Sequence, residues 1–267
     1  MATANHPTEV RWETVEAGPA TAQRTVLLLA GGMCSARSYA EIMAEPALVD
    51  SRLVAATLPG HAGTAPPTDF STESYARSAA QLARDLGANV VVGFSMGAMV
   101  AYEMAVSGAF AGPIVLLGVS LSTADEPGFF RAIVHLSSPL GTAPVRLLRA
   151  GATSMAGKAA VPAQRQAELK ADFRRNDPHD VREALRGYLR WLGRDDDPAR
   201  RLCETGVPVW VVHAEKGDGG LTAHERSVLE ASPQVHLVTI PGHVMFLPND
   251  VPKQIAEVIT AALEASK

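Results

Sequence analysis

The sequence predicts an α/β sandwich, a parallel β-sheet covered by helices on both faces. Three observations carry this. Short apolar runs of strand length recur along the chain, and helix-length segments separate most of them. One run ends in Gly93-Phe94-Ser95-Met96-Gly97 and passes straight into a helix-like stretch. Parallel neighbours need crossover connections, and a strand covered on both faces is apolar throughout rather than alternating.

The first two runs lie at 25–29 and 53–57. The first opens into the glycine-bearing loop Ala30-Gly31-Gly32-Met33-Cys34-Ser35, the second into Leu58-Pro59-Gly60-His61-Ala62-Gly63. The runs at 89–92 and 114–117 follow, with Ser95 just beyond the third. From 125 to 201 no strand pattern is found, and helix-like pieces at 162–174 and 180–192 are separated by Pro and Gly, which reads as a helical cap. This stretch holds 14 Lys and Arg against 10 Asp and Glu in a chain of net charge −4. A solvated, arginine-rich helical surface accounts for that excess. Strand patterns resume at 209–213 and 235–239. Between them Thr222 and Glu225 make a capping box for a helix. In the last segment Asp250 is the expected cap, Pro252 suits the first turn, and Ile255, Val258, Ile259, Ala262 and Leu263 share one face. The expected organisation is therefore a core of residues 1–124 and 202–267, interrupted by a cap at 125–201.

Of 267 residues 47% are hydrophobic, an ordinary core for an unaided fold. The small net charge does not suggest a nucleic-acid partner or an anionic membrane surface. No run of some eighteen apolar residues predicts membrane insertion, and the first residues lack a basic region followed by an apolar stretch, so a cytoplasmic location is expected. Cys34 and Cys203 are expected to be reduced thiols.

A serine hydroxyl is a weak nucleophile at neutral pH and needs a base, with a further group to orient that base. Ser95, between glycines on a strand-to-helix turn, has the layout of a nucleophile elbow. His243, after the last strand run in Pro241-Gly242-His243, is the base candidate. His61 is its nearest competitor but is read as a loop residue near the cleft, and His213 as a partly buried strand histidine. Asp218, on the loop before the Thr222 cap, is the first choice for the orienting acid, with Asp125 and Glu215 as alternatives. An oxyanion needs fixed backbone donors. The Met96 amide at a helix start supplies one, and the amide of Gly32 or Met33 the other. Phe129, Phe130, Leu147, Leu148, Met155 and Trp191 are apolar candidates for the pocket or for the core of the cap.

With Ser95, Asp218 and His243 in that order, each after a strand, together with the Gly31-Gly32 loop and Leu58-Pro59-Gly60-His61-Ala62-Gly63, the chain resembles the α/β-hydrolase superfamily over nearly its whole length. Family members often carry His-Gly where this chain has Ala30-Gly31. The resemblance implies a three-layer α/β/α sandwich with a mostly parallel eight-stranded sheet and an inserted helical cap. It further implies a serine hydrolase needing no metal or organic cofactor, monomeric or homodimeric, acting on a small-molecule acyl substrate through an acyl-enzyme. An ester or lactone is the expected substrate. A carbon–carbon bond hydrolase with the same triad is one alternative, and a non-catalytic small-molecule binding module is another.

Overall fold

The structure is a computed structural model that describes residues 11–126, 132, 141–194, 196–216 and 220–266. Seven strands form one sheet: β1 (Glu13–Ala17), β2 (Thr25–Leu29), β3 (Arg52–Thr57), β4 (Val90–Phe94), β5 (Ile114–Leu117), β6 (Val209–Lys216) and β7 (Val235–His243). Their order is β1-β3-β2-β4-β5-β6-β7, with β1 antiparallel to β3 and every other pair parallel. The fold class is the one the sequence predicts, with seven strands among the described residues in place of eight. β1 escapes a search for apolar runs because it is an edge strand, mostly exposed, from which Val15 packs toward the core.

Among the described residues the helices of seven residues or more are α1 (Thr72–Leu86), α2 (Met96–Val106), α3 (Ala143–Ala156), α4 (Ala163–Arg175), α5 (Pro178–Leu192), α6 (Pro198–Glu204), α7 (Ala223–Glu230) and α8 (Pro252–Ala265). Strand periodicity divides the core into two layers. Leu27, Leu29, Val91, Ile114, Leu116, Val209 and Val211 pack with α1, α2, α6 and α7 on one face. Val26, Leu28, Val90, Val92, Val115, Leu117 and Val212 pack with α8 on the other. Each fully buried aliphatic side chain there contributes about 1.5–3 kcal/mol of transfer free energy. Between β5 and β6 the described chain is helical (α3 to α6) and contains no strand.

Local signals behave unevenly. Ser71 caps α1 by accepting from the Ser74 amide, and Gly87 ends it in the left-handed conformation at φ 62°. Thr222 and Glu225 form the full capping box that opens α7. Asp250 does not cap α8: Val251 holds the N-cap position, while the Asp250 carboxylate accepts from the amides of Ala160 and Phe246. The Pro241-Gly242-His243 segment, expected as a loop, continues β7 to its end, where Lys216 pairs with His243 across a register shift. Among the described residues, no helix is long and apolar enough to cross a membrane.

β2 lies between β3 and β4, so the chain leaving β2 and the chain leaving β4 meet at the carboxyl edge, where the strand order reverses. Open α/β sheets bind ligands at such a switch point. Ser95 is the residue that follows β4 there.

Candidate active site

Ser95 has φ 51° and ψ −115°, a conformation that costs a non-glycine residue energy and is held only because its surroundings fix it. Its amide donates to the Leu117 carbonyl at 2.8 Å, and its own carbonyl accepts from Ala98 at 2.9 Å and Met99 at 3.1 Å as α2 begins. The flanking glycines are required by contact. A Cβ on Gly93 would lie 2.1 Å from the Gly97 carbonyl oxygen, and one on Gly97 would lie 2.3 Å from that of Leu29. The turn therefore brings the start of α2 against the end of β2 and leaves the Ser95 side chain exposed.

The loop after β2 faces it. Met33 takes a left-handed φ of 64°, and its amide donates to Nδ1 of His61 at 3.0 Å. Ala62, beside that histidine, is also left-handed at φ 49°. One buried side chain holds both: Asn176, just after α4, donates from Nδ2 to the Met33 carbonyl at 2.9 Å and accepts at Oδ1 from the Ala62 amide at 2.8 Å. The helical segment is thereby tied to the two loops that border Ser95.

The Met33 contact fixes the His61 tautomer. A backbone N–H can only donate, so Nδ1 carries the lone pair and the proton sits on Nε2. Burial lowers the His61 pKa to about 4, so the ring is neutral at neutral pH. In this state His61 has no lone pair left with which to take a proton from Ser95. The same contact engages the Met33 amide, one of the two loop amides expected as an oxyanion donor.

A cavity of about 150 Å³ lies over Ser95. Gly32, Met33, His61 and Met96 line it from the sheet side, and Glu126, Val181, Leu185 and Tyr188 from the helical side. The apolar side chains from α5 are spaced along one helical face, a signal present in the 180–192 periodicity. They differ from the candidates expected. Trp191 packs edge-on against Tyr102 at 5.2 Å and donates to Glu103. Leu147 is exposed, Leu148 and Met155 do not line the cavity, and Phe129 and Phe130 lie outside the described residues. Glu126 also lines the cavity, and nothing in its sequence neighbourhood marks it. It accepts from the Ser120 hydroxyl at 2.7 Å and from the Tyr188 hydroxyl. Burial, then the nearby Glu126, holds the Tyr188 phenol well above its ordinary pKa, so it stays a donor.

His243 ends β7 at the same carboxyl edge as Ser95, exposed and outside the cavity lining. Glu215 accepts from the Gly242 amide at 3.0 Å and so braces the backbone next to it. Asp218 lies outside the described residues. His213 is buried, as expected for a strand histidine. Cys34 and Cys203 are free thiols, and burial followed by the neighbouring Asp172 pushes the Cys34 pKa up to about 12, which makes it unreactive. Among the described residues no group of three or more His, Cys, Asp or Glu side chains is placed to hold a metal ion.

Asp125 is engaged elsewhere. Its carboxylate accepts from the amides of Leu121 at 2.8 Å and Ser122 at 2.9 Å and meets Glu225, the capping-box residue of α7. Burial first, and the Glu225 carboxylate second, raise its pKa from 3.8 to about 6 against the pull of the two amides. A carboxyl whose folded pKa is raised retains its proton on folding, so the folded state loses stability as pH rises from about 4 through 6. Asp125→Asn keeps an acceptor for both amides and removes that loss. At pH 8 the variant is expected to be about 1 kcal/mol more stable than the parent, after allowance for solvent screening, with no gain at pH 4. Thermal melts of both proteins at the two pH values check this, and a variant less stable at pH 8 would contradict it.

A strained elbow serine, a facing glycine loop and a helical segment over them define the class: the chain belongs to the alpha/beta hydrolase family, whose general model matches residues 26–258. No curated protein matches it by sequence. Among solved structures it is similar to a hydrolase from Pseudomonas aeruginosa, at 15% identity and TM-score 0.73 over 98% of this chain and 99% of that one. A thermophilic esterase from Thermogutta terrifontis aligns at 18% identity and TM-score 0.70 over 96% and 93% of the two chains. The thioesterase domain of the curacin biosynthetic pathway aligns at 18% identity and TM-score 0.68 over 94% and 95%. At these identities the likeness is one of fold.

Proposed function

We propose that this protein is a cofactor-independent serine hydrolase that cleaves a carboxylic ester, lactone or related acyl compound through an acyl-enzyme. The observation that carries the reading is Ser95 itself, strained at φ 51° and open to a cavity that the Met96 and Gly32 residues also line. A strained, exposed serine between glycines that the close contacts require has no packing role of its own. In this reading the hydroxyl attacks the acyl carbonyl, and the oxygen that becomes negative is held by the Met96 and Gly32 amides, the former at the positive end of α2. His243 is the base, since the tautomer of His61 disqualifies it, and Asp218 orients the His243 ring and stabilises its charged form. His243 then activates the water that releases the acyl group. Residues 125–201 act as the cap, closing the cavity through Val181, Leu185 and Tyr188. The esterase and thioesterase among the similar structures support an acyl substrate.

The cavity sizes the acyl group. A space of about 150 Å³ accommodates a group about the size of benzene. Among p-nitrophenyl esters, kcat/KM is expected to be highest between the acetate and the hexanoate and at least about tenfold lower for the dodecanoate, whose chain cannot be buried. Efficiency that climbs steadily to the dodecanoate would show that this cavity is not the acyl pocket.

A further inference from the structure

We propose that His61 is a specificity residue that donates its Nε2–H to a neutral oxygen acceptor carried by the acyl substrate beside its scissile carbonyl. This deepens the hydrolase reading above and rests on it for the identity of the site. The His61 ring lines the cavity over Ser95 yet is only 1% exposed. Its Nδ1 is satisfied by the Met33 amide, and its Nε2, further round the ring, is buried with no hydrogen-bond partner among the described residues. Buried donors are almost always paired, and an orphan on a residue that lines a cavity calls for a partner. The protonated Nε2 of a neutral imidazole can only donate, so its complement is an oxygen acceptor.

The surroundings narrow that acceptor. Glu126, whose carboxylate accepts from Ser120 and Tyr188, lines the same cavity, and a substrate carboxylate placed there would meet a like charge. The acceptor is therefore an uncharged ketone, ester or ether oxygen. The donor is also rigid. The Met33 and Ala62 backbones on either side of the His61 contact are both clamped by Asn176, so the ring cannot turn its Nε2 away without breaking a buried network. A rigid donor distinguishes substrates with a correctly placed oxygen from those without one, because the latter leave it unpaired.

Methyl acetoacetate, which carries a ketone oxygen beside its ester, and methyl butyrate, which does not, are the probes. In ¹⁵N-histidine-labelled Ser95→Ala protein, titration with methyl acetoacetate is expected to move the His61 Nε2–H proton resonance downfield and saturably, while methyl butyrate leaves it in place. In protein with Ser95 intact, His61→Asn, whose Oδ1 can still accept from the Met33 amide, is expected to raise KM for methyl acetoacetate about tenfold more than KM for methyl butyrate. A titration that leaves the resonance unmoved, or a His61→Asn protein in which both KM values change alike, would overturn the proposal. If the parent hydrolyses neither ester while the resonance still moves, the hydrolase reading fails and the donor role of His61 stands as a binding contact.

Discussion

Replacing Ser95 with Ala is expected to reduce p-nitrophenyl ester turnover by roughly three to six orders of magnitude while leaving the protein folded. The size of the loss follows from the chemistry: without the hydroxyl no acyl-enzyme forms, and what remains is the rate that the cavity and the oxyanion donors give to direct attack by water. The fold is expected to survive for reasons visible at the elbow. The contacts that hold the turn are made by backbone, from the Ser95 amide to Leu117 and from Ala98 and Met99 to the Ser95 carbonyl, and alanine keeps all of them. Alanine also keeps the Cβ that the strained conformation already accommodates. Steady-state rates beside a thermal melt of each protein decide the matter, and a folded variant retaining more than a tenth of the parent rate would remove Ser95 from the mechanism.

The second large effect is expected at His243, the proposed base. His243→Ala should cost about as much as Ser95→Ala, and the double variant should be no worse than either, because nucleophile and base act as one unit. His61 cannot take over, since its Nδ1 lone pair is held by Met33 and its Nε2 already carries a proton. The acid separates two candidates. Asp218→Asn is expected to lower kcat by roughly 10³–10⁴-fold through loss of the correct tautomer, and Glu215→Gln by less than about tenfold, since Glu215 holds the Gly242 amide rather than a ring. The reverse ranking, measured on the same ester, would make Glu215 the orienting acid. Asp125→Asn is expected to change stability with pH and to leave kcat near that of the parent.

The parts of this protein that were legible in the sequence are those governed by local pattern. β2, β4 and β5 are wholly buried strands, and continuous apolar runs reveal them. The elbow was legible because its steric demand falls on Gly93 and Gly97, immediate neighbours of Ser95. The capping box of α7 is likewise contained within four residues. The remainder depends on partners distant in sequence. β1 gains its place by pairing with β3, and its mostly exposed residues announce nothing by themselves. The engagement of the Met33 amide by His61, 28 residues away, could not be read from a glycine-rich loop, and it is this contact that favours Gly32 over Met33 in the proposed oxyanion site. Asn176 reaches the same loop across 143 residues. Asp250 resembles a cap by position, yet its carboxylate is drawn to Ala160, 90 residues away.

Whether Ser95 is an activated nucleophile in a built site is tested most directly by labelling with a fluorophosphonate. Intact-mass spectrometry of the parent, Ser95→Ala and His243→Ala proteins after exposure to the reagent, with peptide mapping of any adduct, is the measurement. One adduct per parent chain is expected, mapped to Ser95, with none on the Ser95→Ala protein and far slower labelling of the His243→Ala protein. A folded parent that stays unmodified, or an adduct on any other residue, would contradict it.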